Sequence, residues 1–376
     1  MMAIPFLVLY LTRELGWSAP RAGLALGVYG AGSIIAAPIS GRLCDLIGGL
    51  PIIRASLIGA GIILLMIPFA ESFPVVIALV LAWSLVSEGG RPATLALVAD
   101  LVPNEQRKPA FALIRLAINL GMSVGPAAGG FIAAYSFRSI FLVNAVASLA
   151  AGLFLVAVPM KGATHIRHLD AGSNDGRPGA ARTAVLGDRR LLVFLFATFL
   201  ASAVFFQHEG ALPLFLVQDL HLSTAFYGML FTINTLMIVA LEVPLNAATA
   251  HWPHRWALAA GALLFALGSG LFGLAGGPQM IVLGIVVWTF GEMMLFPQAS
   301  AYVADIAPPH RRGSYMGAYY FAFSIAFAVA PWAGTTVFAH FGATILWTSV
   351  FLVGVVATVI MLQVTSEEPA SAAAAA

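Results

Sequence analysis

The chain has 376 residues, 60% of them hydrophobic and 9% charged, with a formal net charge of +2 and a mean hydropathy of +0.95. Soluble domains carry roughly 25% charged residues, so no water-soluble packing hides this much apolar surface. The single cysteine, Cys44, excludes an intrachain disulfide framework and any multi-cysteine metal centre, and neither a metal site nor a nucleic-acid partner is expected.

Twelve apolar stretches follow one another, at 1–12, 20–41, 52–70, 75–98, 110–134, 139–160, 190–214, 223–247, 256–275, 280–303, 314–338 and 344–363. Runs of about 20 residues at ~1.5 Å each match the ~30 Å hydrocarbon core of a bilayer. Backbone groups in lipid must be satisfied within each segment, so the expected fold is an all-α membrane protein of twelve transmembrane helices. Its expected organisation is a six-helix bundle over 1–160, a flexible cytoplasmic linker over 161–189, a second six-helix bundle over 190–363 and a disordered cytoplasmic tail over 364–376.

The two halves repeat each other at an offset of 205 residues. Ser18 and Gly23 recur as Ser223 and Gly228, Pro92 as Pro297, and Ala99-Asp100 as Ala304-Asp305. Pro103 recurs as Pro308, Arg107 as Arg312, Pro126 as Pro331 and Gly129 as Gly334. Repeats in the same order imply a pseudo-two-fold axis along the membrane normal, the plan of one class of transporter, with a substrate site between the halves. Met1 corresponds to Phe206, so residues 191–205 of span seven have no counterpart. The first helix is therefore expected to be truncated at its N-terminus, by a misplaced start or a shortened chain rather than as a natural half-helix.

After span two comes the loop Gly41-Arg42-Leu43-Cys44-Asp45-Leu46-Ile47-Gly48, whose glycines allow a tight turn and whose Asp45 can cap a helix N-terminus. In span four, Glu88 and Arg91 are three residues apart and share a helix face, about 14–18 Å from Asp100 along the axis. That depth is near the bilayer midplane, where a charge costs at least ~2.5–3.5 kcal/mol and is kept beside a partner or a water-filled cavity. Asp100 and Arg107 flank the loop after span four, and Asp305 and Arg312 repeat them after span ten. Span five carries Arg115 and Asn119, then Gly121, Gly125, Pro126, Gly129 and Gly130; small residues four apart admit close helix approach, and the proline bends the helix. Span seven carries Gln207, His208 and Glu209 toward its outer end, span eight Asn234 and Glu242, and span ten Glu292, which aligns with Ser87. With the first loop outside, 13 Lys and Arg residues fall on one side and three on the other, which puts both chain ends in the cytoplasm. Arginine outnumbers lysine 16 to 2, the mark of GC-rich coding and a bacterial source.

These residues carry a resemblance. The 41–48 loop is similar to the G-x-L-a-D-r-x-G loop of the major facilitator superfamily, and 121–130 is similar to the G-x-x-x-G-P-x-x-G-G pattern of its proton-driven antiporters. The chain resembles that superfamily over essentially its whole length. The resemblance implies that Gly41, Asp45 and Gly48, with Asp100, Arg107, Asp305 and Arg312, form a cytoplasmic gate. The basic residues usual in the first loop are replaced here by Leu46, Gly49 and Leu50. It also implies that spans three, six, nine and twelve support a cavity lined by the others, and the intramembrane charges do fall in spans four, five, seven, eight and ten.

The expected function is secondary transport by alternating access in a bacterial plasma membrane, by a monomer that uses the proton gradient and no cofactor. Proton-coupled efflux of small, partly hydrophobic molecules leads. Proton-coupled symport of a sugar, peptide or organic acid stays open, as do an inactive truncated chain and a transporter-like sensor. Glu88 is either the proton carrier, with Arg91 tuning it or binding an anionic group, or half of a static ion pair, and Glu292 is a comparable carrier. No H-E-x-x-H helix, G-x-S-x-G elbow or P-loop is present, so an enzyme is not expected.

Overall fold

A computed structural model of the chain describes residues 2–102, 106–158, 187–308 and 311–364. The linker expected at 161–189 and the tail expected at 364–376 lie almost wholly outside the described residues, as do the side chains of Asp45, Asp100, Arg107 and Arg115. Among the described residues every regular element is a helix. Ten helices are long and apolar enough to cross a membrane. One of these, Arg312–Leu362, is two helices that meet at Gly342, where φ is +79° and ψ is 176°. Counting those two separately and adding the short apolar segment Ile4–Arg13, all twelve expected segments are helical.

Local chemistry explains the helix ends. Proline occupies the first turn of Ala19–Ile47, Phe73–Glu88 and Pro278–Ile306, where its missing N–H leaves no bond unmade. Gly48 ends span two at φ +84°, its N–H donating to the Cys44 carbonyl at 2.9 Å. Ser136 alone separates span five, Arg107–Tyr135, from span six, Phe137–Ala157, and its hydroxyl accepts the Ser139 N–H at 3.4 Å.

Two spans differ from expectation. Span four, predicted as one helix over 75–98, is Phe73–Glu88 followed by Gly90–Leu101, parted at Gly89. Span seven, predicted over 190–214, is helical over Arg189–Phe205, turns through a tighter 3-10 segment at Phe206–His208, and resumes as Ala211–Leu214 and the wider π-turn Phe215–Asp219. His208 and Glu209 therefore stand at an interior break of span seven and not at its outer end.

The chain divides into two compact units. The first takes in Met1–Asn174, Phe206–Leu236 and Phe327–Ala343, and the second Asp175–Phe205, Met237–Ala326 and Thr344–Ala376, as far as these are described. In the first, span three lies so close to span six that a Cβ on Gly61 would meet Leu149 at 2.6 Å. In the second, spans nine and twelve make the repeat-related contact with the glycine on the opposite helix: a Cβ on Gly354 would meet Ala266 at 2.7 Å. Gly61 maps to Ala266 and Leu149 to Gly354 at the 205-residue offset, so each copy of the contact keeps one small partner. The second unit also holds an aromatic core in which Phe205 stacks on Trp288 at 4.9 Å, bordered by Phe265 and Phe296. Large apolar side chains left exposed, such as Phe69, Leu113, Phe154 and Val243, suit a surface facing lipid.

Candidate functional site

The break in span four sets the position of Glu88. Two consecutive glycines, Gly89 and Gly90, let neighbouring helices come close: a Cβ on Gly90 would stand 3.2 Å from Ser56 of span three. Pro92 has no N–H for the Glu88 carbonyl, which interrupts the ladder, and the Ser40 hydroxyl of span two donates to the Gly89 carbonyl at the start of the second piece. Glu88 ends the first helical piece and Arg91 lies in the first turn of the second.

The two oxygens of Glu88 have different partners. The Tyr29 hydroxyl donates to Oε1 at 2.9 Å, and Arg91 Nε stands 3.2 Å from Oε2. The same Tyr29 oxygen is 3.1 Å from Ser87 Oγ. Glu88 is 15% exposed and Arg91 61%, so the carboxylate is held within the protein while the guanidinium reaches outward. Tyr29 is buried, its ring edge-on to Trp83 at 4.9 Å and its carbonyl accepting from Ser84 Oγ. An ionised carboxylate accepts from both donors; protonation removes its charge and turns one oxygen into a donor, which a phenol can accept and a guanidinium cannot.

The break in span seven brings a second carboxylate into the same neighbourhood. Glu209 and His208 are each 12% exposed, with Nε2 of the imidazole 3.8 Å from Glu209 Oε1. Glu209 lies within electrostatic reach of Arg91 and Glu88. The surrounding backbone is tied down: Tyr227 donates to the His208 carbonyl at 2.8 Å, and Gln207 Nε2 donates to the Ala330 carbonyl at 2.9 Å. Glu88, Arg91, His208 and Glu209 thus belong to one unit, together with the half-buried Asn119 and Asn234. Glu242 and Glu292 are half-buried in the other unit, where Asn246 donates to the carbonyls of Glu242 and Met293 at 2.8 and 3.2 Å. The Arg115 side chain lies outside the described residues.

The glycine and proline run of span five faces span eight. A Cβ on Gly228 would overlap the Pro126 carbonyl, and one on Gly130 would overlap the Thr224 carbonyl. Gly129 instead faces Met2 and Phe6, Gly121 has open space around it, and Gly125 is a half-buried residue inside the helix. The contact has a twin between spans two and eleven, where Gly23 meets the Pro331 carbonyl. At the 205-residue offset Gly23 becomes Gly228 and Pro126 becomes Pro331, so one seam is the symmetry copy of the other. The correspondence continues one turn on. Gly27 abuts the Ala328 carbonyl, and its counterpart Thr232 donates to the Ser123 carbonyl, counterpart of Ala328, at 3.2 Å.

Of the residues assigned to a gate, Gly41 has nothing near it and Gly48 is the left-handed cap of span two. The side chains of Asp45, Asp100 and Arg107 lie outside the described residues. Asp305 pairs with His254 of span nine at 2.9 Å, His254 also meeting Gln298 at 3.2 Å, while Arg312 is exposed at the start of span eleven. Asp188, which no motif marked, accepts the Arg190 N–H at 3.0 Å and the Tyr315 hydroxyl at 3.0 Å, so it caps span seven and reaches span eleven. Tyr29, Asp188, His254 and Tyr315 are site neighbours that the sequence pattern did not single out. His254 and Asp188 carried a faint signal as polar residues flanking the starts of apolar runs.

Comparison with known proteins is consistent along the chain. The family model described as Major Facilitator Superfamily matches residues 1–223 and 194–374. The uncharacterized MFS-type transporter YqjV of Bacillus subtilis (strain 168) is 26% identical over 347 residues, covering 91% of this chain and 83% of that one. A Na(+), Li(+), K(+)/H(+) antiporter of Planococcus maritimus is 25% identical over 359 residues, covering 88% and 84%. The multidrug resistance protein MdtH of Aeromonas hydrophila is 26% identical over 326 residues, covering 84% and 78%. Among solved structures, a peptide transporter POT in complex with sulfate superposes with a TM-score of 0.79 at 17% identity, covering 96% of this chain and 90% of that one, a likeness of fold.

Proposed function

The chain belongs to the Major Facilitator Superfamily, a family of transporters and not of enzymes, and from that premise we propose that it exports small, partly hydrophobic molecules in exchange for protons. It works by alternating access as a monomer in a bacterial plasma membrane, with both chain ends in the cytoplasm and the proton gradient as its energy source.

The observation that carries this reading is the division of Glu88 between Tyr29 and Arg91. A carboxylate so held pairs with the guanidinium charge only while ionised, and protonation leaves Arg91 facing a neutral carboxyl. Arg91, 61% exposed, is then free to turn toward Glu209 or a substrate. Binding or losing a proton at Glu88 therefore rearranges the charges of spans four and seven, which is what coupling requires. The relatives named as a cation/proton antiporter and as a multidrug resistance protein support the antiport direction. The span five run resembling the antiporter pattern, seated on span eight, supports it as well.

The test is movement of a cationic dye across proteoliposomes under an imposed pH gradient, for the wild type, Glu88→Gln and Glu292→Gln. Gradient-driven dye movement that Glu88→Gln abolishes is the expected result. If Glu292→Gln alone abolishes it, the proton carrier is in span ten. If the wild type moves no dye but takes up a sugar, peptide or organic acid with protons, the protein is a symporter.

A further inference from the structure

We propose that Tyr29 and Ser87 form a two-position hydrogen-bond switch that holds the Glu88 carboxyl in place in both of its protonation states. The inference rests on the reading of Glu88 as the proton carrier and adds what keeps that carrier in register.

The geometry is a chain of three oxygens. Glu88 Oε1 is 2.9 Å from the Tyr29 hydroxyl, and that hydroxyl is 3.1 Å from Ser87 Oγ. A phenol has one hydrogen to donate and lone pairs to accept with. While Glu88 is ionised, the Tyr29 hydrogen points to Oε1. When a proton arrives on Oε1, the carboxyl O–H becomes the donor to Tyr29, and the phenol turns its own hydrogen to Ser87. No heavy atom needs to move, the carboxyl and phenol hydrogens each keep an acceptor, and Oε2 still faces Arg91 as a carbonyl oxygen. Without Ser87, the phenol hydrogen would be left unpaired in a buried place each time Glu88 is protonated, a penalty of about 1–3 kcal/mol.

The position of the switch is over-determined. Tyr29 is 2% exposed, Trp83 packs edge-on against its ring at 4.9 Å, and Phe327 of span eleven stands 6.2 Å away. Its backbone carbonyl is taken by Ser84, and its helix turn is fixed at Gly27 and Gly30, where a Cβ would overlap the backbone of Ala328. Glu88 faces Tyr29 from span two, Ser87 and Arg91 from its own span, and Glu209 from span seven within electrostatic reach. Of the groups in contact with the carboxyl, Tyr29 and Arg91, Tyr29 alone can both donate to it and accept from it without changing place. Tyr29 is thus a positioning residue that acts through Glu88.

The closing experiment compares Tyr29→Phe, Ser87→Ala and Glu88→Gln. Two quantities are followed: the pH midpoint of dye transport, and the infrared titration of protonated carboxyl groups in the purified protein, which needs no transport. Tyr29→Phe keeps the ring and removes the donor to the ionised form, so the Glu88 midpoint rises, by about one pH unit for one lost hydrogen bond to a charge. Ser87→Ala removes the acceptor that serves the protonated form, so the midpoint falls. Opposite shifts, both absent when Glu88→Gln is added, are the expected result. Midpoints that stay put or move in the same direction overturn the switch, even if rates fall. Retained gradient-driven transport in Glu88→Gln sinks the carrier reading instead, and the infrared midpoints then still decide whether the switch exists.

Discussion

Gly228 is seated on the carbonyl oxygen of Pro126, with no room between spans eight and five for a side chain. The repeat places Gly23 on Pro331 in the same way, so this close helix approach in the first unit occurs twice. Nothing in lipid drives two apolar helices together by hydrophobicity, and small residues that bring backbones into contact take over that role.

Gly228→Ala is therefore expected to force the seam apart at a cost of about 1–3 kcal/mol, whereas Gly121→Ala, nine residues before Gly130 in the same span but with open space around it, is expected to be neutral or stabilising by up to ~1 kcal/mol. Thermal unfolding in detergent micelles separates them. Equal melting temperatures for the two variants would mean that the seam yields without strain.

At the break of span four, Ser40→Ala removes the donor to the Gly89 carbonyl. The expected loss is about 0.5–1.5 kcal/mol, the ordinary net contribution of one intramolecular hydrogen bond. Ser40→Thr should recover most of it. A melting temperature unchanged in Ser40→Ala would show that the break is held by the glycine packing alone.

Arg54 of span three places Nε at 2.9 Å and a terminal nitrogen at 2.6 Å from the Leu155 carbonyl, in the last turn of span six. A cation there meets both an orphan carbonyl and the negative end of the helix dipole. Arg54→Ala should cost about 1–3 kcal/mol, with Arg54→Lys losing less because a single ammonium replaces a fork. The pH midpoint of transport should not move in either, and a moved midpoint would tie span six to coupling.

His221 is the one described non-glycine residue at positive φ, +52°, in the short turn joining spans seven and eight. The left-handed conformation costs an L-residue roughly 1–2 kcal/mol that glycine does not incur. His221→Gly is expected to raise the melting temperature, offset in part by the added freedom of the unfolded chain. A lower one would mean that the imidazole makes a contact worth more than the strain.

The sequence spoke clearly wherever the repeat did. Because the halves are copies, a residue match at a fixed offset became a contact match in space, as Gly23 with Pro331 and Gly228 with Pro126 show. Glu88 and Arg91 were legible as a pair because a helix brings residues three apart together. Tyr29 was not, since a tyrosine within an apolar run looks like core until the opposing carboxylate is seen. The two breaks carry a sequence signal in their prolines: Pro92 and Pro213 have no N–H to return to the carbonyls of Glu88 and Glu209, four residues before them. What the neighbouring helices add, namely Ser40, Tyr227 and Gln207's reach to Ala330, is visible only in the structure.

Spans eleven and twelve are joined through Gly342 alone, and five and six through Ser136 alone. Such joints leave no slack, so an epitope or fluorescent tag inserted at either would have to unwind a helix on both sides before it could be accommodated. Gly276, in the turn between Gly273 and Pro278 and with nothing within 4 Å of an added side chain, is the place to tether such a tag. Its accessibility in intact cells would read out directly which face of the membrane each end of every helix occupies.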